Sequence, residues 1–431
     1  MKKLALVLGL IALIVVGAAA ADKTVLKFFY YIDATQAGYA EDQALWEKFK
    51  AANPDIDLQI EINSSQPYHQ KLQAYISAGQ IPDVVYLWPT SRDSSKEIQD
   101  KKLVKDLRTV LPKELLSKFS PLALDVNNQS SHILAELPQS FTYTTTVLAN
   151  VGLLKSLGLA VPKTYADLKA LVPKLKLKGI QTLLLPDADK WPAQSVLFST
   201  ISGRLLGDKF IDAVKAGKAK FTDKGFVGAL SFYESLYKDG VIDKDNVNLG
   251  YGEGPGIFAS GKAAFFVDGD WRVGAFLTDK STGKALIDPA LQKTDFEIQN
   301  FPAIPGEINK GTVSAIAGVG LGINKDLTGA KLDAAKRLLE FYYSKEFTTV
   351  KWETGAFVPS RLDVTTDKLE PLAVKLPLYY KSIPKTTYVL DGVLDPSVFN
   401  ILNDGLQAIG LGVKTPAQVA AELQTAQDAL K

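Results

Sequence analysis

Apolar and polar positions change period several times along the chain. Residues 26–32 are a near-continuous apolar and aromatic run, which predicts a buried strand. Residues 39–52 place Ala44, Leu45 and Phe49 on one face at helical spacing, and Asn53-Pro54 ends that helix. A strand at 58–62, a helix at 68–78 stopped by Gly79, and a buried strand at 84–87 come next. Strand, helix, strand, helix, strand implies parallel pairing with helices on both faces. Beyond Leu137-Pro138 the stretch 139–146 is polar and aromatic, too irregular for a core strand, and reads as a crossing between two bodies. Residues 296–304 end in Phe-Pro-x-x-Pro and read as a second crossing, with one strand after it at 315–323. Helical patterns then dominate, at 330–343, 346–354, 396–409 and 416–430. Thr415-Pro416 opens the last with an N-cap and a proline at the first helical position.

The segment 261–271, GKAAFFVDGDW, concentrates the candidate chemistry. Its apolar run 263–267 lies between Gly261 and Gly269, the pattern of a short buried strand with a turn behind it. The turn delivers Trp271 beside Asp268 and Asp270, a ring next to carboxylates, as a site for a polar ring with apolar faces needs. Core packing is the competing role for Trp271, and turn formation for the two aspartates; of these Asp268 is the preferred ligand group. Trp88 follows the 84–87 strand and precedes Arg92 and Asp93, at a strand carboxyl end where open α/β sheets hold ligands. A helix start with an ordinary Arg–Asp pair is the alternative there. Asp33 and Gln36 follow the first strand on the same edge, or else form a capping turn. Trp191 follows a strand-like run at 182–185, Tyr143 lies just past the first crossing, and Tyr251 and Glu253 sit in a Gly-rich loop. Asp83 reads as structural, bonded to backbone in its turn.

Five blocks, in order, resemble family 1 extracellular solute-binding proteins, the sugar-capturing subunits of bacterial ABC importers. They are FFYYIDATQAGYAEDQALWEKFKAANPDIDLQI (28–60), SAGQIPDVVYLW (77–88), LANVGLLKSLGLAVPKTYADLKAL (148–171), GKAAFFVDGDW (261–271) and GAFVPSRLDV (355–364). Ala149 departs from the pattern, which has Tyr before the Asn. The resemblance implies an α/β, two-lobed fold of the periplasmic-binding-protein type, each lobe a mostly parallel sheet flanked by helices, with a ligand cleft between. It implies an N-lobe of 22–138 plus 301–325 and a C-lobe of 139–300 plus 326–431. It further implies a monomeric, non-catalytic receptor for a carbohydrate that docks on ABC permease subunits and needs no cofactor.

Residues 1–21 have the physics of a secretion signal: Lys2 and Lys3, an apolar stretch interrupted by Gly9, then small residues. The stretch is short for a membrane span. No cysteine is present, so a lipid-anchored form, disulfides and thiolate chemistry are excluded, and a periplasmic address is expected. Cleavage would remove Lys2 and Lys3 and bring the net charge of +2 to neutrality, which argues against a nucleic-acid partner. His69 and His132 have no ligand-like neighbours for zinc. Asp243-x-Asp245 lacks the rest of a calcium loop, and Gly318-x-Gly320-x-Gly322 is not a dinucleotide fingerprint. A secreted glycoside hydrolase, which would need two suitably spaced carboxyls, and a polyamine- or ion-binding receptor are the alternatives.

Overall fold

The structure, a computed structural model, describes residues 22–32, 38–88, 93–124, 132–280, 282–355 and 357–430. Strand β1 (Thr24–Tyr31) is central to the first sheet because its aromatic run is buried on both faces. Phe28 and Tyr30 point to one side, against Trp46 of the helix Tyr39–Ala52. Phe29 points to the other and stacks on Tyr68 of the helix Ser65–Ser77, with centroids 4.3 Å apart. β2 (Ile56–Asn63) and β3 (Val84–Leu87) flank β1 in parallel. The chain crosses from β2 over β1 to reach β3, so the two helices lie on opposite faces.

The second sheet has the order β6-β7-β5-β8, from β5 (Thr146–Asn150), β6 (Gln181–Leu184), β7 (Ala263–Asp268) and β8 (Phe296–Gln299). It is mixed rather than mostly parallel. β5 enters straight from the first crossing and runs antiparallel to both neighbours, and only β6 and β7 are parallel. Between the lobes, β4 (Phe141–Tyr143), β9 (Val313–Ala317) and β11 (Thr386–Thr387) form a small third sheet. The segment 139–146 thus carries strand after all.

Several sequence expectations need correction. The 315–323 strand is two: β9 stays in the junction, and β10 (Gly320–Ile323) pairs antiparallel with β3 in the first sheet. The segment 296–304 is not a crossing, since β8 pairs with β5 and both Phe301 and Ile304 are buried in the second core. The return to the first lobe therefore comes at β9–β10 rather than at 301. Residues 326–431 do not lie wholly with the second lobe either. The helices Gly329–Tyr342 and Lys345–Glu353 pack Ala334, Leu338, Leu339, Tyr342 and Phe347 into the core of β1. Asp42, fully buried, fixes that arrangement: it accepts from Tyr30 Oη (2.8 Å) and Trp46 Nε1 (2.9 Å) and pairs with Lys351 (2.8 Å). Asp83 does bond backbone, but that of Lys27 in β1 (2.8 Å), while pairing with Lys331. Thr415 caps the last helix as its sequence implies. A third crossing joins the helix Lys345–Glu353 to the helix Pro371–Ser382, and Ser360 N–H donates to the Gln139 carbonyl of the first crossing (2.8 Å).

Gly318, Gly320 and Gly322 have a structural meaning. Alternating, they bare one face of the β9–β10 run, and the segment 135–140 lies on it in backbone contact. A Cβ at 318 would stand 2.5 Å from the Ser140 carbonyl oxygen, and one at 322 would stand 3.0 Å from that of Ala135. At 320 it would stand 2.6 Å from Glu136 Oε2. Glu136 is 1% exposed, and neither carboxyl oxygen bonds a donor among the described residues. Burial pushes its carboxyl well above the usual glutamate range. An acid whose pKa is raised by folding stabilises the fold while protonated in the native state, and that stability is lost as pH rises above the unfolded value of about 4.3. Urea midpoints should therefore fall more steeply with pH, from 5 upward, in the native sequence than in Glu136→Gln. Parallel curves for the two proteins would show that Glu136 is not held neutral.

Candidate functional site

The strand β7 ends at Asp268, and the chain turns at once into the 3-10 helix Asp270–Phe276. Gly269 allows the turn its shape: any Cβ there would collide with the Trp271 ring, which folds back over the glycine. Asp268 is 1% exposed and organises the turn behind it. Oδ1 accepts from Tyr251 Oη (2.9 Å) and Gly269 N–H (2.7 Å), and Oδ2 accepts from Arg272 Nε (2.6 Å). Tyr251 in turn accepts from Trp271 Nε1 (2.5 Å). The Arg272 guanidinium lies 4.0 Å from the Tyr251 ring centroid, a cation–π contact on one face of that ring. Burial works against the charge on Arg272, but Asp268 and Tyr251 more than restore it. Burial, then Asp268, pushes the Tyr251 hydroxyl well up, so it remains a proton donor.

Trp191 completes this group. It meets Tyr251 edge-on at 4.8 Å and lies tilted against Trp271 at 6.2 Å. The structure thus brings Trp191, Tyr251, Asp268 and Trp271 into one cluster at the carboxyl end of β7. Tyr143, on β4, joins it through the next acid: its N–H donates to Asp270 Oδ2 at 2.8 Å. Trp88 belongs to a separate cluster at the carboxyl edge of the first sheet, half-buried among Tyr31 (4.9 Å), His69 (4.9 Å), Tyr86 (5.2 Å) and Tyr68 (5.5 Å). Glu253 is exposed and closes its own turn on Gly250 N–H (2.8 Å). Asp33, Gln36, Arg92 and the side chain of Asp93 lie outside the described residues.

The sequence makes Asp268 the preferred ligand group of the two aspartates. In the structure its oxygens accept from protein donors, and its bond from Tyr251 fixes the hydroxyl that Trp271 bonds. Two further members of the cluster carry no signal in the sequence: Arg272, whose link to Asp268 depends on the 3-10 turn, and Tyr380, whose ring stacks on Tyr143 at 4.1 Å. Among the described residues, no group of three or more His, Cys, Asp or Glu side chains could hold a metal ion. No helix among them is long and apolar enough to cross a membrane.

The profile of the family described as bacterial extracellular solute-binding protein matches residues 33–348. The chain is similar to the maltotriose-binding protein of Pyrococcus abyssi, 24% identical over 237 residues, which covers 54% of this chain and 47% of that protein. The match thus spans about half that relative's length. The multiple sugar-binding protein of Streptococcus mutans is 22% identical over 368 residues, 81% of this chain and 78% of its own. A structure solved in a study of xylan utilization by the thermophilic bacterium Caldanaerobius polysaccharolyticus superposes with a TM-score of 0.82 at 20% identity, over 93% of this chain and 99% of that one. That likeness shows the fold.

Removing one partner of a buried ion pair strands the other. Arg272→Met should therefore lower unfolding stability by about 3 kcal/mol, while Arg272→Lys recovers part of it. Chemical denaturation checks this, and a methionine variant as stable as the parent would show that the Asp268–Arg272 pair does not hold the turn.

Proposed function

The chain belongs to the bacterial extracellular solute-binding proteins, and from that premise we propose that it is a sugar receptor feeding an ABC importer. The single observation that carries the sugar reading is the Trp271 ring, locked by Tyr251 and Asp268 and placed beside Trp191. Sugar rings offer C–H faces that stack on such a platform, while their hydroxyls seek donors and acceptors around it. The names of the two curated relatives, which bind maltotriose and multiple sugars, agree with this.

In this reading the ligand lies between the lobes, with the Trp88 cluster on one side and the Trp271 cluster on the other. Each cluster alone would bind weakly. A bound sugar touches both only when the lobes are closed, so it shifts the population toward the closed form. Three chain crossings make that motion a defined rotation rather than free tethering. The closed, monomeric receptor would then dock on membrane permease subunits. The protein would reach the periplasm by a cleaved leader and remain unlipidated. Catalysis is not part of the reading: Asp268 and Asp270, the carboxylates of the cluster, are engaged by Tyr251, Arg272, Tyr143 and Tyr380. That leaves neither of them free to flank a glycosidic bond as a hydrolase requires.

A thermal-shift panel of glucose, maltose, maltotriose, xylotriose, chitotriose and raffinose should show a raised midpoint for at least one sugar, since a ligand that binds only the native state stabilises it. Trp271→Ala should then weaken that sugar by about 30-fold in calorimetry, as expected when a stacked aromatic anchor worth ~2 kcal/mol is lost. Unchanged affinity in a folded variant would remove Trp271 from the site, and no response across the panel would contradict the sugar reading.

A further inference from the structure

Asp270 precedes Trp271 and is 3% exposed. Its Oδ2 accepts from two elements outside its own turn. One donor is the Tyr143 N–H of β4 at 2.8 Å, and the other is the Tyr380 hydroxyl of the helix Pro371–Ser382. The Tyr143 and Tyr380 rings stack face to face, 4.1 Å apart and 22° from parallel. The adjacent tyrosine on that helix, Tyr379, donates to the Thr145 carbonyl at 2.7 Å. Two successive tyrosines therefore tie the helix to residues 143–145, which are part of the first crossing. Both Tyr143 and Tyr380 are partly buried, each keeping some exposed surface. A single carboxylate thus joins the crossing strand, the ring pair and the turn that carries Trp271.

We propose that Asp270 is a positioning residue for ligand capture: it grips Tyr143 and Tyr380 so that their stacked rings form a further wall of the site, in register with Trp271. This rests on the sugar-receptor reading. The groups facing Asp270 are Tyr143 from β4, Tyr379 and Tyr380 from the helix, and Asp268 from the end of β7, while Arg272 on its own turn is committed to Asp268. Burial pushes its carboxyl up to about 7, against the bonds from Tyr380 and Tyr143. The ionised carboxylate makes charge-assisted bonds to both donors, and protonation reduces them to neutral ones. The grip, and the affinity that depends on it, should weaken as pH falls through that value.

The test is calorimetric titration of the full chain with the same six sugars from pH 5.5 to 8.5, for the parent, Asp270→Asn, Tyr380→Phe and the double variant. For the sugar that binds, the parent should lose affinity several-fold toward pH 5.5. Asp270→Asn should be weaker by about 10-fold at high pH, the scale of a lost charge-assisted bond, and flat with pH. Tyr380→Phe keeps the ring but loses the bond, so it should weaken binding too. The double variant should be no weaker than Asp270→Asn alone, because both changes break one linkage. Parent-like affinity and pH profile in a folded Asp270→Asn would overturn the proposal. If that variant does not fold, parent-like binding by Tyr380→Phe overturns it. Absence of binding by the parent to all six sugars would overturn the receptor reading, and this proposal with it.

Discussion

A buried carboxylate paired with a cation needs protein donors on both oxygens, and that constraint at Asp268 shapes the candidate site. Its oxygens are satisfied only if β7 stops at residue 268, the backbone turns at Gly269, Arg272 comes round the 3-10 turn, and Tyr251 reaches in from its own loop. Trp271 inherits its orientation from this network, through Tyr251 on one edge and the bare Gly269 beneath it. The aromatic surface is therefore preorganised by a buried charge that need not touch the ligand. Preorganised rings lose little conformational freedom on binding, so more of the stacking energy is retained as affinity.

The same logic recurs in the first lobe. Asp42 collects Tyr30, Trp46 and Lys351 and so joins the first helix to a helix more than 300 residues later. At the junction, alternate glycines let two crossing segments touch backbone to backbone, with Glu136 lodged among them. Thr144, Thr145, Thr200 and Ser314 add a buried hydroxyl network beside β9. Polar groups bonded in this way specify one arrangement more sharply than apolar packing does.

Local pattern was legible wherever a local signal decided the outcome. The helix 39–52 was legible to the residue, because its apolar spacing and the Asn53-Pro54 stop agree. The β7 strand and the ring behind it could be read from two glycines and an apolar run. Choices between partners were the ones that failed. The amphipathic pattern at 330–343 shows that one face is buried but not against which lobe, and the first core claims it. Gly318 and Gly320 look like strand interior, yet they mark the break where the chain changes sheets. Arg272 and Tyr380 could not be found from spacing, since each acts through a contact made only after the turn and the third crossing are in place. Asp268 was found, and its contacts are with protein donors.

If the two aromatic clusters, on lobes joined by three crossings, close on one sugar, the bound molecule is the more compact one. Small-angle X-ray scattering decides this, on the protein with and without a saturating concentration of a sugar already shown to raise its melting midpoint. A smaller radius of gyration is expected in the bound state. An unchanged radius, with binding established independently, would contradict it and confine the site to a single lobe.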